Sequence, residues 1–317
     1  MRGTRAAVVL VVAALFGAVT IAPAPAVPVE PSTCEVFPAD NVWRLNVSKL
    51  PVSPHSGMWT RAMHSRRAFV HPDFGPPSYG IPFDVVDALH ADVSVDFGYA
   101  DESDPGPYPF GSDIHVEGGS DRHAIMLDQD TCVLYELYAA HWNGGSPTAG
   151  SGAVFDLTSD LLRPAGWTSA DAAGLPIMAG LLRYDEVAAG DVDHAIRVTA
   201  SCTHNAYIWP ARHAAGTKDR RCPPMGARFR LRAGFDTSGF TPDVGVVIRA
   251  MKRYGLIVAD NGSDWYFQGA VDPRWTTAFV DQLKQIPARA FVAVDEHACR
   301  VGPDSGAFAS GPHCPVP

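Results

Sequence analysis

The sequence predicts a mostly β fold, a β-sandwich or jelly roll decorated by a few short helices. Three observations predict it. The chain holds 29 Gly and 27 Pro in 317 residues, which is turn material rather than long-helix material. Short apolar or alternating runs recur between those turns. Only two segments carry a clear helical period. A hydrophobic share of 46% supplies a core, and the charged share of 19% lies below the ~25% of an average soluble domain.

The N-terminus reads as an export signal. Arg2 and Arg5 precede an apolar run from Ala6 to Val19, and Ala22-Pro23-Ala24-Pro25-Ala26 offers a small-x-small cleavage site. The expected division is signal peptide 1–26, Pro-rich linker 27–33, one β-rich domain 34–296 and a disulfide-pinned tail 297–317. No second long apolar segment follows, so no membrane span is expected after cleavage. The expected product is secreted and monomeric. All six cysteines fall after residue 26, and an even count in an exported chain reads as disulfides. Six cysteines allow 15 pairings. Cys202 with Cys222 and Cys299 with Cys314 would close short loops, leaving Cys34 for Cys132. Cys202-Thr203-His204 is the alternative, a thiol beside a base.

Strands are expected first at Asp92–Phe97, which alternates. His123–Leu127 and Val133–Ala139 should form a hairpin across Asp128-Gln129-Asp130-Thr131. Further strands are expected at Ala153–Leu157, Ala195–Thr199, Ala206–Trp209, Arg228–Leu231, Leu256–Ala259, Trp265–Gln268 and Ala290–Val294. Ser169 should cap a short turn over Ala170–Gly174. Asp243–Tyr254 reads as an amphipathic helix through Val244, Val247, Ile248 and Met251, with Gly255 just past its end. Thr276–Ile286 reads as a second, stopped by Pro287. Asp260-Asn261-Gly262-Ser263-Asp264-Trp265 reads as a tight hairpin turn.

Three stretches carry a resemblance: Cys34–Trp43 (CEVFPADNVW), Tyr99–Pro109 (YADESDPGPYP) and Arg253–Gly262 (RYGLIVADNG). They resemble a group of exported bacterial proteins with no assigned activity. The resemblance implies an exported bacterial origin and supplies no catalytic residues.

Chemistry is sought on the strand Val133–Tyr138. Alternation puts Glu136 on one face with Leu134 and Tyr138, and Val133, Tyr135 and Leu137 on the other. Both faces are apolar or aromatic, so Glu136 is expected on a covered surface with a raised pKa. Asp113, His115 and Glu117 share a face, and Asp121, Arg122 and His123 follow a Gly-Gly-Ser turn. Hairpin geometry then brings Glu117, Asp121 or His123 toward Glu136. Two carboxylates flanking a glycosidic bond are what glycoside hydrolysis needs. His194, beside a strand that carries Arg197, is a second orienting imidazole. Trp142, Trp167, Trp209, Tyr138 and Arg212 are the candidate substrate contacts, because aromatic faces stack on sugar C–H surface.

The expectation is an exported carbohydrate-active enzyme, a glycoside hydrolase on an extracellular or cell-wall polysaccharide. Its catalytic set is Glu136 with Asp121 or Glu117, tuned by His123 and His194. A non-catalytic glycan-binding protein uses the same aromatics without a perturbed carboxylate. A metal-dependent hydrolase or oxidase would use His115, Glu117, His123 and His194. No resident cofactor is expected. The loops Asp101–Asp104 and Asp128–Asp130 offer oxygens to a structural Ca²⁺, without the full EF-hand pattern. Absent signatures exclude other classes: no Gly-x-Ser-x-Gly elbow, P-loop, dinucleotide fingerprint or His-Glu-x-x-His. The 25 Lys and Arg against 34 Asp and Glu, a formal net charge of −9, argue against nucleic acid as a partner.

Overall fold

A computed structural model describes residues 27–311 and Cys314, so the expected signal peptide lies outside the described residues. The strands are β1 (His71–Asp73), β2 (Asp84–Val86), β3 (Asp96–Phe97), β4 (Ala124–Asp128), β5 (Val133–Tyr138), β6 (Thr148–Ala149), β7 (Ser151–Asp156), β8 (Ile196–Ala200), β9 (His204–Tyr207), β10 (Pro224–Met225), β11 (Arg228–Leu231), β12 (Leu256–Asn261), β13 (Tyr266–Gln268) and β14 (Phe291–Ala293). The helices are short: α1 (Ser56–Ala62), α2 (Tyr184–Ala189), α3 (Pro242–Arg253) and α4 (Thr277–Leu283).

Two sheets carry the fold, which is mostly β and consistent with a sandwich-like arrangement. One has six strands in the order β1-β13-β8-β12-β11-β14, and the other has four in the order β2-β4-β5-β7. The pairs β3–β6 and β9–β10 stand apart. The expected hairpin is present: β4 and β5 pair antiparallel from Ala124↔Leu137 to Asp128↔Val133. Ile125, Leu127, Leu134 and Ala153 from the four-stranded sheet join one apolar core with Ile196, Val198, Leu256 and Val258 of the six-stranded sheet. The opposite face of the small sheet, through Met126 and Leu137, is covered by Tyr108, Phe110 and Ile114. Both faces of β5 are therefore dry, as its sequence requires.

Helix α3 forms for the reasons expected. Pro242 opens it, and Val244, Val247, Ile248 and Met251 are buried on one stripe. Gly255 ends it at φ +78°, where an added Cβ would lie 2.5 Å from the Phe229 carbonyl oxygen. Helix α4 starts at Thr276, whose side chain accepts the Phe279 amide.

The structure revises three expectations and adds to a fourth. Leu256–Asn261 and Tyr266–Gln268 are not a hairpin: β8 lies between them, parallel to β12 and antiparallel to β13. The buried indole of Trp265 donates to the Met63 carbonyl at 2.6 Å and packs on Phe229 and Phe291, so the connecting turn dives into the core. Residues 27–33 are a docked segment rather than a free linker, because Val29 is fully buried in the core. The described part of the tail, which carries the expected Cys299–Cys314 disulfide, is also woven in: Ala307 bridges Asn41, Ser305 bridges Leu161, and Phe308 is buried. Of Asp92–Phe97, only Asp96–Phe97 is a strand, and Val93 bridges Tyr108. The disulfides are Cys34–Cys132, Cys202–Cys222 and Cys299–Cys314, which fits an oxidising, extracellular environment. Cys202 is therefore no free thiol.

Glu136 is fully buried on β5. Its two oxygens accept the amides of Ile177 at 2.8 Å and Met178 at 2.9 Å, at the start of the 3-10 turn Met178–Gly180. Burial pushes its carboxyl up to about 7, against those two hydrogen bonds. The residue is a cap that ties the small sheet to the segment leading into α2. Glu136→Gln turns an NH₂ toward a backbone N–H, leaving a buried donor unsatisfied at a cost of about 1–3 kcal/mol. Chemical denaturation should show that loss. Unchanged stability would remove the capping role.

Candidate active site

A pocket of about 440 Å³ opens where the ends of β5, β7 and β12 meet, with its wall formed by residues 99–102, 168–172 and His213. That volume lies within the ~300–1,000 Å³ of small-molecule sites. Four carboxylates line it: Glu102, Asp121, Asp171 and Asp260. Tyr138 and the exposed Tyr99 add aromatic surface.

Beneath the pocket lies a buried cation. Arg197, on β8, is fully buried. Its Nε and Nη2 donate to Asp171 Oδ2 at 3.1 and 2.7 Å, its Nη1 donates to Gln268 Oε1, and Nη2 lies 3.5 Å from Asp260 Oδ2. Asp171 also accepts the Ala173 amide at 3.0 Å. Strand β8 supplies the arginine, β12 supplies Asp260, β13 supplies Gln268 and the turn after Ser169 supplies Asp171. That turn is fixed as expected, since Ser169 Oγ accepts the Asp171 amide at 2.9 Å.

The two aspartates differ in what they can do. Asp171 is fully buried and takes two guanidinium N–H groups. Asp260 reaches the pocket with 23% of its side chain exposed and only a long contact to Arg197. Burial first, then the Asp171 charge, pushes Asp260 up to about 7. Burial raises Asp171 as well, but two guanidinium N–H groups and the Ala173 amide oppose that rise, whereas Asp260 has only a long contact to the cation and is the member of the pair that more readily keeps a proton. A carboxyl that lines a pocket and keeps a proton up to about 7 is suited to general acid work.

The facing wall carries a different pair. His213 Nδ1 donates to the Ala172 carbonyl at 2.8 Å, leaving Nε2 to face Glu102 Oε2 at 3.8 Å. Glu102 is itself held by the Thr168 amide at 3.0 Å. A gap of that length suits a bridging water. The loop carrying Glu102 is pinned from behind: Arg163 donates to the Glu102 carbonyl, Asp104 and the Thr168 carbonyl.

The structure brings together only part of the expected set. Asp121 and Tyr138 line the pocket, while Glu136 lies in the core with no open path. His123 is buried behind the wall, with Nδ1 2.5 Å from Glu117 Oε2 and Nε2 3.1 Å from the Ala170 carbonyl. Both nitrogens face acceptors, so the ring is an imidazolium. Burial opposes that charge, but the Glu117 hydrogen bond and charge lift its pKa, and Glu117 is correspondingly lowered. The His123–Glu117 pair therefore holds the 170s turn rather than touching a substrate. His194 is a structural ion. It donates to the Ala195 carbonyl and to Glu186, which also binds Arg183. Trp209 is buried and donates to the Ser305 carbonyl, and Arg212 is buried on the carbonyls of Arg163 and Pro303 and on Asp304. Trp167 lies half-buried over Arg163, and Trp142 packs edge-on to Phe110. His115 pairs with Asp84 at an exposed position. Asp128 caps its own turn by accepting from Asp130 and Thr131. Among the described residues, no group of three or more His, Cys, Asp or Glu is arranged to hold a metal. Sequence reasoning missed Asp260 and Asp171 as site residues; it reached Glu102 only as part of a loop offering oxygens to Ca²⁺, and His213 only as part of the Trp209–His213 loop read as a substrate platform.

The buried charges fix how stability responds to pH. Burial raises Asp260, Glu136 and Glu296 to about 7 each. Between the usual carboxylate range and about 7 the folded state keeps protons that the unfolded chain has released, so stability falls as pH rises through that window. His123 and His194, raised above the usual imidazole value, lose their stabilising charge in the same direction. Glu117 and Glu186 are lowered, and their contribution is lost only in acid. The expected Tm is highest near about pH 4.5–5 and falls by several degrees by about pH 8.5. A Tm that rises over that interval would contradict these assignments.

Compared with protein-family models, with curated proteins and with solved structures, the chain matches none. The functional argument therefore rests on the geometry of the pocket.

Proposed function

We propose that the protein is an exported hydrolase that cleaves glycosidic bonds of a polysaccharide in the 440 Å³ pocket. The observation that carries the reading is the position of Asp260 beside the buried Arg197–Asp171 pair, in a pocket that also presents Glu102, Asp121 and His213, with burial raising its pKa to about 7. A glycosidase needs an acid for the leaving oxygen and a second carboxylate for water or for the anomeric carbon. Asp260 is the acid. Glu102, with a water held between it and His213 Nε2, is the base. Tyr99 and Tyr138 give faces on which a sugar ring stacks. Three disulfides and a signal-like N-terminus support an extracellular site of action.

The reaction follows from these roles. A sugar enters with its glycosidic oxygen at Asp260, whose proton moves to that oxygen as the C–O bond breaks. The water beside Glu102 gives up a proton and adds to the anomeric carbon. Burial and the neighbouring Asp171 carboxyl, opposed by the charge of Arg197, favour the proton on Asp260 until the transfer.

Two measurements test the reading. The mature protein, Asp260→Asn and His213→Ala are incubated with bacterial and plant polysaccharides, and new reducing ends are counted. Wild type should release them, with Asp260→Asn slower by about 10²–10⁴-fold, the usual size of general acid catalysis. Because Asp260 is neutral below about 7, Asp260→Asn should keep its Tm at pH 6 and gain at pH 8. Turnover by Asp260→Asn at the wild-type rate would end this assignment, and silence of wild type with retained oligosaccharide binding would establish a binding protein. The second is the pH profile. The rate should fall about tenfold per pH unit above about 7 as Asp260 loses its proton. A profile still rising at pH 9 would exclude Asp260 as the acid.

A further inference from the structure

Outside the pocket, the least compensated charge lies along α3. A recess of about 370 Å³ is lined by Arg230, Arg249, Lys252 and Arg253, together with Asn46 and Ser48. A neighbouring depression of about 690 Å³ shares Arg249 and Lys252 with it. The four cations come from two elements, β11 and α3. Lys252 and Arg253 also complement the negative end of the helix. That role does not account for Arg230, which belongs to the sheet, or for Arg249, a turn earlier.

The way these side chains are held is informative. Arg230 Nη1 donates to the carbonyls of Val47 and Leu50. Arg249 Nη2 donates to the Gly190 carbonyl at 3.1 Å, and Lys252 Nζ to the Phe235 carbonyl at 2.8 Å. The Arg253 guanidinium lies over the Tyr254 ring at 5.2 Å. Their anchors are neutral carbonyls and a ring, and among the described residues none of the four forms an ion pair with a carboxylate within 4.0 Å. One acidic residue lines each depression, Asp191 in the first and Asp243 in the second. The side chains are thus held in place with their charge unspent, in a chain whose formal net charge is −9. Burial lowers the pKa of Arg230, the mark of a cation held partly out of water without an anion.

We infer that this groove binds a phosphodiester polymer, with successive phosphates on Arg249–Lys252 and on Arg230–Arg253. Guanidinium forks match phosphate oxygens in pairs, and the Asn46 amide and Ser48 hydroxyl add neutral donors. Two adjoining depressions sharing two cations suit a chain of anions better than one. An anionic polymer here would hold the protein on an envelope surface while the pocket works on a separate, uncharged substrate. The inference stands whether or not the pocket is catalytic.

Titration calorimetry at low salt tests it, with a short poly(glycerol phosphate), inorganic phosphate and uncharged dextran as probes. Poly(glycerol phosphate) should bind in the micromolar range, weaken steeply with added NaCl, and bind Asp260→Asn as it binds wild type. The double variant Arg249→Gln/Lys252→Gln should lose at least tenfold in affinity with its Tm unchanged, since Arg249 is exposed and Lys252 half-buried. Absence of poly(glycerol phosphate) binding, or equal binding by the double variant, would overturn the proposal. Inorganic phosphate binding as tightly as poly(glycerol phosphate) would also overturn it, in favour of a single free anion.

Discussion

The guanidinium of Arg197 is the constraint on which the site depends. It lies where no water reaches it, and a buried cation is tolerated only when its N–H groups and charge are met. Meeting them requires Asp171 from a turn, Gln268 from β13 and Asp260 from β12 at one point. Those strands flank β8 on its two sides, so the parallel β8–β12 and antiparallel β8–β13 pairings are also what bring the ion's partners together. One ion thus fixes sheet order, the 170s turn and the floor of the pocket.

The same ion divides the labour between two carboxylates. Both lie near Arg197 Nη2, at 2.7 and 3.5 Å. The closer one takes two guanidinium N–H groups, which oppose the rise that burial imposes on it. The farther one feels burial and a neighbouring carboxylate with little help from the cation, and its pKa rises to about 7. Environment alone sets two like side chains apart, as in other paired-carboxylate sites. The imidazolium of His123, bonded to the Ala170 carbonyl, secures the turn that carries Asp171, so the pocket wall is braced by a second buried ion.

Much of the fold was legible in the sequence, and much of the site was not, for one physical reason. Strand and helix signals are local. The β4–β5 hairpin, the apolar stripe of α3 and the covered faces of β5 follow from residue spacing alone. The raised pKa of Glu136 followed too, because two dry faces around a carboxyl dictate it. Its partners did not follow, since Ile177 and Met178 lie 41 and 42 residues away and offer only backbone amides. Asp260 was visible as a turn residue, and Arg197 as a strand residue. Nothing in either neighbourhood indicates that β12 would lie beside β8. The tight-turn reading of Asp260–Trp265 failed at Trp265, whose burial in the core outweighed the turn residues before it.

Buried ions are common here, and comparison among them separates structure from chemistry. His194, Glu186 and Arg183 form a closed set: each charge meets its opposite, the donors of His194 are used, and no part opens to solvent. Such a set can hold α2 to the sheet and do nothing else. The Arg197 set differs in one respect, that one member reaches a cavity. Asp260 takes one backbone amide, that of Asn261, and a long contact to the cation, so capacity to exchange a proton remains. A carboxyl at the edge of a buried ion network can be tuned by charges that never meet the substrate, while its own proton remains within reach of one. That arrangement is why the proposed acid is Asp260 rather than the more deeply buried Glu136, although burial raises both to about 7.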